Sequence, residues 1–420
     1  MERCLSRQAS GLQVDLRRLG PGRPPVLLLG GLNLVRALGL AHIPVIVASP
    51  ESLTPAMASR FCGGRCALPP LEQREAVVEA LVRAGERLAR TLGAPVPLFY
   101  GDDDYLGLVQ DFRAALSPSF ALLLNDPALA RALLDKSLFQ ALAEGCGLPV
   151  PRRLDRDSLS RFTRPVLVKP KVKTAWDRSA VYRELFGGAG KARIFDSGRA
   201  ALLDPLVCAL ADGLQFQEYV PGDDRAIWSF HGFATEKSEL LEWFTGRKIR
   251  TYPALTGDSS YLELAHSEEL EALGRKVVAR LALKGIFKID FKRSTATGRF
   301  HLFEINTRFN LWHYLGARNG VNLTRVAYDY LVRGARPEHV PARSTHRWLC
   351  LGLDYRAYRH LALRGELSFA RWLLSLLSAR KVYDLFAWTD PAPLAVYLAE
   401  RAKSIPRLTQ RMLRWLSTAS

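Results

Sequence analysis

The sequence predicts an α/β protein, α+β in its second half, and three observations carry that expectation. Val26 to Leu29 and Val45 to Ala48 are continuous apolar runs joined by a glycine turn and a helical stretch, the pattern of two buried parallel strands and their crossover helix. FKIDF (Phe287 to Phe291) and HLFEINTR (His301 to Arg308) alternate apolar with polar residues, as half-buried strands do, with Ser294 to Arg299 as a hairpin connection. From about residue 346, Leu, Trp and Arg recur at helical spacing, interrupted by Asp390-Pro391-Ala392-Pro393, which predicts an appended helical segment.

Taken in order, residues 1 to 24 form a basic arm ending in Pro and Gly. Residues 25 to 125 open a doubly wound sheet. Its Gly30-Gly31 lacks the G-x-G-x-x-G spacing of a dinucleotide turn, so a tight structural turn is expected there. A charged helix follows near Glu72 to Leu92, then a strand in PVPLFY, and Asp102, Asp103 and Asp104 are placed to cap the next helix. NDPALARALLDKSLFQALAEG reads as one helix, capped by Asn125 or Asp126 with Pro127 in its first turn, and stopped by Gly145, Gly147 and Pro149. Pro165 to Lys171 is a short strand, and Leu214 to Asp224 is another that runs into Pro221-Gly222. Phe244 to Gly257 is basic and loop-like, and Leu264 to Leu283 reads as a helix ahead of the hairpin.

Composition bounds the function. At 420 residues the chain can bury a sizeable core and hold more than one domain. Lys and Arg total 59 against 41 acidic residues, a net charge of +18 that attracts anions such as nucleotides or acidic substrates. There is no compact basic run with interleaved aromatics, so nucleic-acid binding is not expected. The six cysteines are scattered, and Cys62 and Cys66 have no second Cys/His pair at zinc spacing, so reduced thiols are expected. No signal-peptide core and no apolar stretch of spanning length is present, and the expected compartment is the cytoplasm. The basic, partly amphipathic tail Leu394 to Ser420 suits packing on the body better than a membrane surface, and a homodimer is left open.

The hairpin carries the sharpest chemical signal. Glu304, Asn306 and Arg308 alternate onto one face, with Phe303 and Ile305 on the other, while Lys288 and Asp290 share a face of the first strand. Pairing Ser294 with Phe300 sets Asp290 opposite Glu304 and Lys288 opposite Asn306, with opposed side chains roughly 5 Å apart at Cβ. Two carboxylates and an amide oxygen at that spacing suit Mg²⁺ (or Mn²⁺), hard cations that prefer oxygen. The alternative is a solvated hairpin face. Elsewhere, Lys136, Lys169, Lys248 and Arg250 offer cations, and Gln217, Glu218, Tyr219 and Val220 form a strand exit ahead of Asp224 that can present backbone groups to a base edge.

The order of these islands resembles the ATP-grasp superfamily, on its carboxylate–amine ligase branch, over roughly residues 25 to 335. The matching motifs are Asp135-Lys136, Val168-Lys169-Pro170, QEYVPG (Gln217 to Gly222), the Lys-x-Arg of FTGRKIRTYP, Ser59-Arg60-Phe61, and an Asp followed by Glu-x-Asn-x-Arg. The resemblance implies an ATP-grasp domain over 126 to 336, with a smaller lid lobe about 151 to 216, and a helical extension over 337 to 420. It implies that Gln217, Tyr219 and Val220 line adenine, largely through backbone, with Glu218 beside them, that Asp224 meets ribose, and that Lys136, Lys169 and Lys248 balance the phosphates. Asp290, Glu304 and Asn306 would hold the metal, and Arg308, Arg250 and Lys248 would serve the acyl phosphate formed when ATP activates a carboxylate for attack by an amine. Two rivals are an ATP-dependent carboxylase and a non-catalytic nucleotide-binding module at a membrane surface. The sequence departs from the pattern where many members have a Ser/Gly-rich phosphate loop; here Gly187, Gly188, Gly190 and Lys191 stand instead, and they do not form a Walker A loop.

Overall fold

The first apolar runs become strands of a six-stranded sheet in a computed structural model that describes residues 11–14, 23–171, 180–187 and 190–403. Most of the basic arm, Gly188 and the tail from residue 404 lie outside the described residues. The first sheet comprises β1 (Leu12–Val14), β2 (Val26–Leu29), β3 (Val45–Ser49), β4 (Cys62–Ala67), β5 (Val96–Tyr100) and β6 (Phe120–Ala121), in the order β1-β4-β3-β2-β5-β6. Its strands are parallel except β1, which pairs antiparallel with β4. The arm therefore contributes an edge strand. Val26 to Leu29 are all buried, with helices covering both faces, which is why they read as an uninterrupted apolar run.

The helix expected from Asp126 to Gly145 is two helices, Pro127–Leu134 and Lys136–Gly145. Asp135 between them is extended, and its carboxylate accepts from the N–H groups of Ser137 (2.7 Å) and Leu138 (3.0 Å). An Asp side chain competes with helical hydrogen bonding and wins here as a cap. Lys136 thereby sits in the first turn of a helix rather than in the middle of one.

Four antiparallel strands form the small lobe: β7 (Arg153–Leu154), β8 (Val166–Pro170), β9 (Arg193–Phe195) and β10 (Leu214–Glu218), ordered β7-β10-β8-β9. Val166, Val168 and Leu214 pack on Leu159, Ala201 and Val207. Alternation then puts Lys169, Gln215 and Gln217 on the opposite face.

The third sheet has seven strands: β11 (Ile227–Ala234), β12 (Leu240–Tyr252), β13 (Asp258–Leu264), β14 (Gly285–Arg293), β15 (Phe300–Asn306), β16 (His346–Leu349) and β17 (Arg380–Tyr383), ordered β15-β14-β11-β12-β13-β16-β17. Phe244 to Tyr252, expected as a loop, is the second half of the long β12. The helix before the hairpin is shorter than expected, Glu268–Leu281, because β13 continues to Leu264 and Ser267 caps the helix. One face of the sheet buries Phe287, Ile289, Phe291, Leu302 and Ile305 against that helix and Lys136–Gly145. The other buries Phe233, Phe244 and Ile286 against Trp312–Arg318, Leu323–Arg333 and the first helix, Leu32–Leu40, so the first domain and the large sheet share one core. Each such side chain contributes about 1.5–3 kcal/mol on leaving water. Gly246 permits a close approach of sheet to helix: a Cβ there would stand 2.5 Å from the Trp312 ring.

The extension is not purely helical, since β16 and β17 complete the large sheet. Its helices Leu351–Leu363 and Phe369–Leu377 follow β16. A buried knot fastens it to the first domain: Arg36 Nε donates to Asp390 at 3.0 Å, while Ser59 Oγ and the Arg60 N–H complete the same carboxylate at 2.8 Å each. Ser59-Arg60-Phe61 is thus where the extension docks.

Candidate functional site

On β14 and β15 the expected register holds where it matters. Asp290 pairs with Glu304 and Lys288 with Asn306. It slips by one beyond them: Phe291 faces Leu302, and Phe300 meets Arg293 rather than Ser294. The extra residue is Phe303, which forms a bulge. Leu302, not Phe303, joins Ile305 in the core, and Phe303 is half-buried.

The carboxylates differ in their surroundings. Asp290 is buried; it accepts from Ser229 Oγ on β11 at 2.6 Å and pairs with Lys288 Nζ at 2.6 Å. Burial opposes its ionisation, but the Lys288 and Lys248 ammonium groups outweigh that and hold its carboxyl below the ordinary value. Glu304 is exposed and makes no hydrogen bond or ion pair among the described residues. Asn306 is buried, with its carbonyl oxygen 3.3 Å from Arg308 Nη2. Among the described residues no three His, Cys, Asp or Glu side chains cluster to hold an ion. Two carboxylates and an amide fit Mg²⁺ nonetheless, because that ion usually keeps waters and takes phosphate oxygens alongside one or two carboxylates.

Arg308 is held from the first domain. Its guanidinium forks onto both oxygens of Asp103 and donates to the Gly101 carbonyl at 3.2 Å. Asp102 alone caps the helix Asp103–Asp111, accepting from the Tyr105 N–H at 2.8 Å. Only one of the three expected caps is used as a cap, which frees Asp103 for Arg308.

Lys169 on β8 and Lys248 on β12 are half-buried, with no hydrogen bond or ion pair among the described residues. Burial, then the neighbouring Lys136, brings Lys169 down to about 7, against the pull of Glu304. Burial, then Lys288, also lowers Lys248, which lies near Asp290. Both are poised to gain from anionic oxygens. Gln215, opposite Lys169 in register, is buried with neither amide atom hydrogen-bonded among the described residues.

Arg250 does not join them. A bulge at Ile249 sets Lys248 opposite Leu262 but Arg250 opposite Tyr261, so the two cations point to opposite faces of the sheet. Arg250 is buried in a bidentate pair with Asp354 (2.8 Å twice), which also accepts from Ser260 Oγ and Trp372 Nε1 at 2.9 Å each. The geometry assigns it to holding the extension. Asp224 is similarly committed: it accepts from the Thr251 N–H, the Thr251 hydroxyl and the Leu255 N–H at 2.7 Å each, leaving ribose no free oxygen pair.

At the strand exit, Gln217 is buried and bonds to Gln140 of the linking helix. Glu218 pairs with Arg164 at 3.0 Å, and its N–H goes to the Arg152 carbonyl. The Tyr219 N–H donates to Pro165. The buried Val220 N–H is given to no carbonyl among the described residues, the donor a base-edge nitrogen requires. Gly222, at φ +141°, makes the turn that follows.

Sequence reasoning missed Ser229, Asp103, Gln215 and Lys292. Lys292 Nζ lies 4.3 Å from the Tyr219 ring centroid and 3.2 Å from its hydroxyl. The alternation that found Lys288 and Asp290 extends to it. Lys191 of the glycine-rich stretch pairs with Asp258. His313 is buried, its Nδ1 accepts from the Asn310 N–H at 3.0 Å, and burial takes it down to about 3, so it packs as a neutral ring.

No family model matches the chain. D-aspartate ligase of Enterococcus faecium is 21% identical over 323 residues, covering 72% of this chain and 75% of that one. Among solved structures, N5-carboxyaminoimidazole synthetase of Staphylococcus aureus superposes with a TM-score of 0.57 at 10% identity, covering 77% of this chain and 81% of its own. A biotin carboxylase from Campylobacter jejuni gives 0.55 at 12% identity over 77% and 74%, and L-amino acid ligase from Bacillus licheniformis 0.52 at 13% over 75% of each chain. No helix among the described residues is long and apolar enough to cross a membrane.

Proposed function

The chain carries the ATP-grasp fold, and we propose that it is an ATP-dependent ligase that joins a carboxylate to an amine, releasing ADP and phosphate. The observation that carries this reading is the opposed Asp290 and Glu304, followed by Asn306 and an Arg308 anchored from a second domain. The likeness to D-aspartate ligase and L-amino acid ligase supports the same class of reaction.

Adenine is received at Val220, whose N–H donates to a ring nitrogen. Lys169 and Lys248 neutralise the phosphate tail from the small lobe and the large sheet. Asp290, Glu304 and Asn306 would hold Mg²⁺, which when bound draws charge from the phosphate oxygens. Arg308 orients the substrate carboxylate and the acyl phosphate it becomes; Asp103 fixes the plane of the guanidinium. No side chain need form a covalent bond. Positioning and fixed charge lower the barrier to phosphoryl transfer, and the amine then displaces phosphate from the acyl carbon.

The test is ADP release screened over amino acids, D-aspartate among them, small carboxylic acids and bicarbonate. Release that needs both a carboxylate and an amine supports the ligase. Release with bicarbonate and no amine would assign a carboxylase, and no release with any pair would sink the reading.

A further inference from the structure

The helical hairpin of the extension leaves an apolar face open. In Phe369–Leu377, Trp372 turns inward, while Phe369, Leu373, Leu374 and Leu377 are exposed. At 100° per residue, Leu373, Leu374 and Leu377 form one stripe along a helix about 13 Å long. Leu374 is 65% exposed and Leu377 73%, and Leu363, at the end of the preceding helix, is 87% exposed. The hairpin is rigid enough to present this face: Tyr358 stacks on Trp372 at 4.9 Å and meets Phe369 at 5.9 Å.

Charge decides what covers it. Arg356, Arg359, Arg371 and Arg380 are exposed on the same hairpin and its exit, and make no ion pair among the described residues. The hairpin's acidic residues are spent: Asp354 is buried on Arg250, and Glu366 pairs with Arg364. A second copy docking by two-fold symmetry would set this arginine rim against itself. An anionic lipid surface would instead accept the leucines into its headgroup boundary and the guanidinium groups onto its phosphates.

We propose that the Phe369–Leu377 face docks the protein on anionic membrane surfaces, lying in the interface without crossing it. The face contains none of the ligase groups, and this docking stands independently of the reaction.

The full chain is mixed with vesicles of phosphatidylcholine alone or with 30% phosphatidylglycerol (about one lipid in three, enough for a strongly negative surface) and sedimented. The expected result is binding to the anionic vesicles only, weakened by salt, and weakened at least about tenfold in the Leu374→Glu/Leu377→Glu variant. Arg371→Glu/Arg380→Glu should also weaken it, and both variants should keep the parent's thermal melt. Equal binding by the leucine variant, or equal binding to neutral vesicles, would overturn the proposal. So would a self-associated form, seen by sedimentation velocity, that the leucine substitutions dissociate while vesicles go unbound.

Discussion

Arg308 donates to both carboxylate oxygens of Asp103, 205 residues earlier in the chain, with Nη2 at 3.2 Å from Oδ2. Neither residue's partner is legible from its own surroundings. The pair ties the end of the first sheet to the strand that carries Glu304 and Asn306, so the guanidinium enters the site with a fixed orientation.

Asp103→Ala should therefore leave ATP binding nearly intact while lowering turnover about 10- to 100-fold, as for the loss of an outer partner that orients a site residue. Asp103→Asn, which keeps one acceptor, should recover part of it. Turnover against ATP thermal shift separates these effects; an equal loss of both would mean that Asp103 supports the fold instead.

Glu304→Gln removes the exposed carboxylate but keeps its shape. Phosphate release with saturating substrates should fall about 10²- to 10³-fold, with an unchanged melting temperature in the absence of ligand. Undiminished release would remove Glu304 from the metal site.

Lys169 gives a pH signature. Its ammonium is brought down to about 7 by burial and Lys136, so above that pH the free protein holds it largely neutral. Triphosphate oxygens favour the charged form and raise its pKa on binding. ATP affinity should then fall as pH rises from 7 to 9, by up to about tenfold per unit, with proton uptake on binding. Calorimetry at pH 8 in buffers of different ionisation heat reads that uptake, and Lys169→Met should abolish it.

Arg250→Met should act on stability rather than chemistry. It leaves Asp354 buried without its cation, at a cost of about 3–5 kcal/mol. Denaturant unfolding measures the loss. If the variant is as stable as the parent but cannot turn over, Arg250 belongs to the site after all.

Local sequence determined the first parallel strands, the face of β14 and the pairing of Asp290 with Glu304, because alternation fixes a face and a short connection fixes a register. It did not determine the second half of β12 or the strands β16 and β17. The short strand that bears Lys169 and the strand exit at Val220 were legible too, and the pairing sets Lys169 on the face opposite the small lobe's core. Alternation failed where one residue was inserted: the bulges at Ile249 and Phe303 invert the phase, sending Arg250 to the far face and bringing Leu302 into the core. It failed again for Asp103, Asp224 and Asp354, acidic side chains whose partners are 205, 27 and 104 residues away. An unpaired buried charge is costly, so such residues take whichever partner the packing delivers, and only the closed fold decides which one that is.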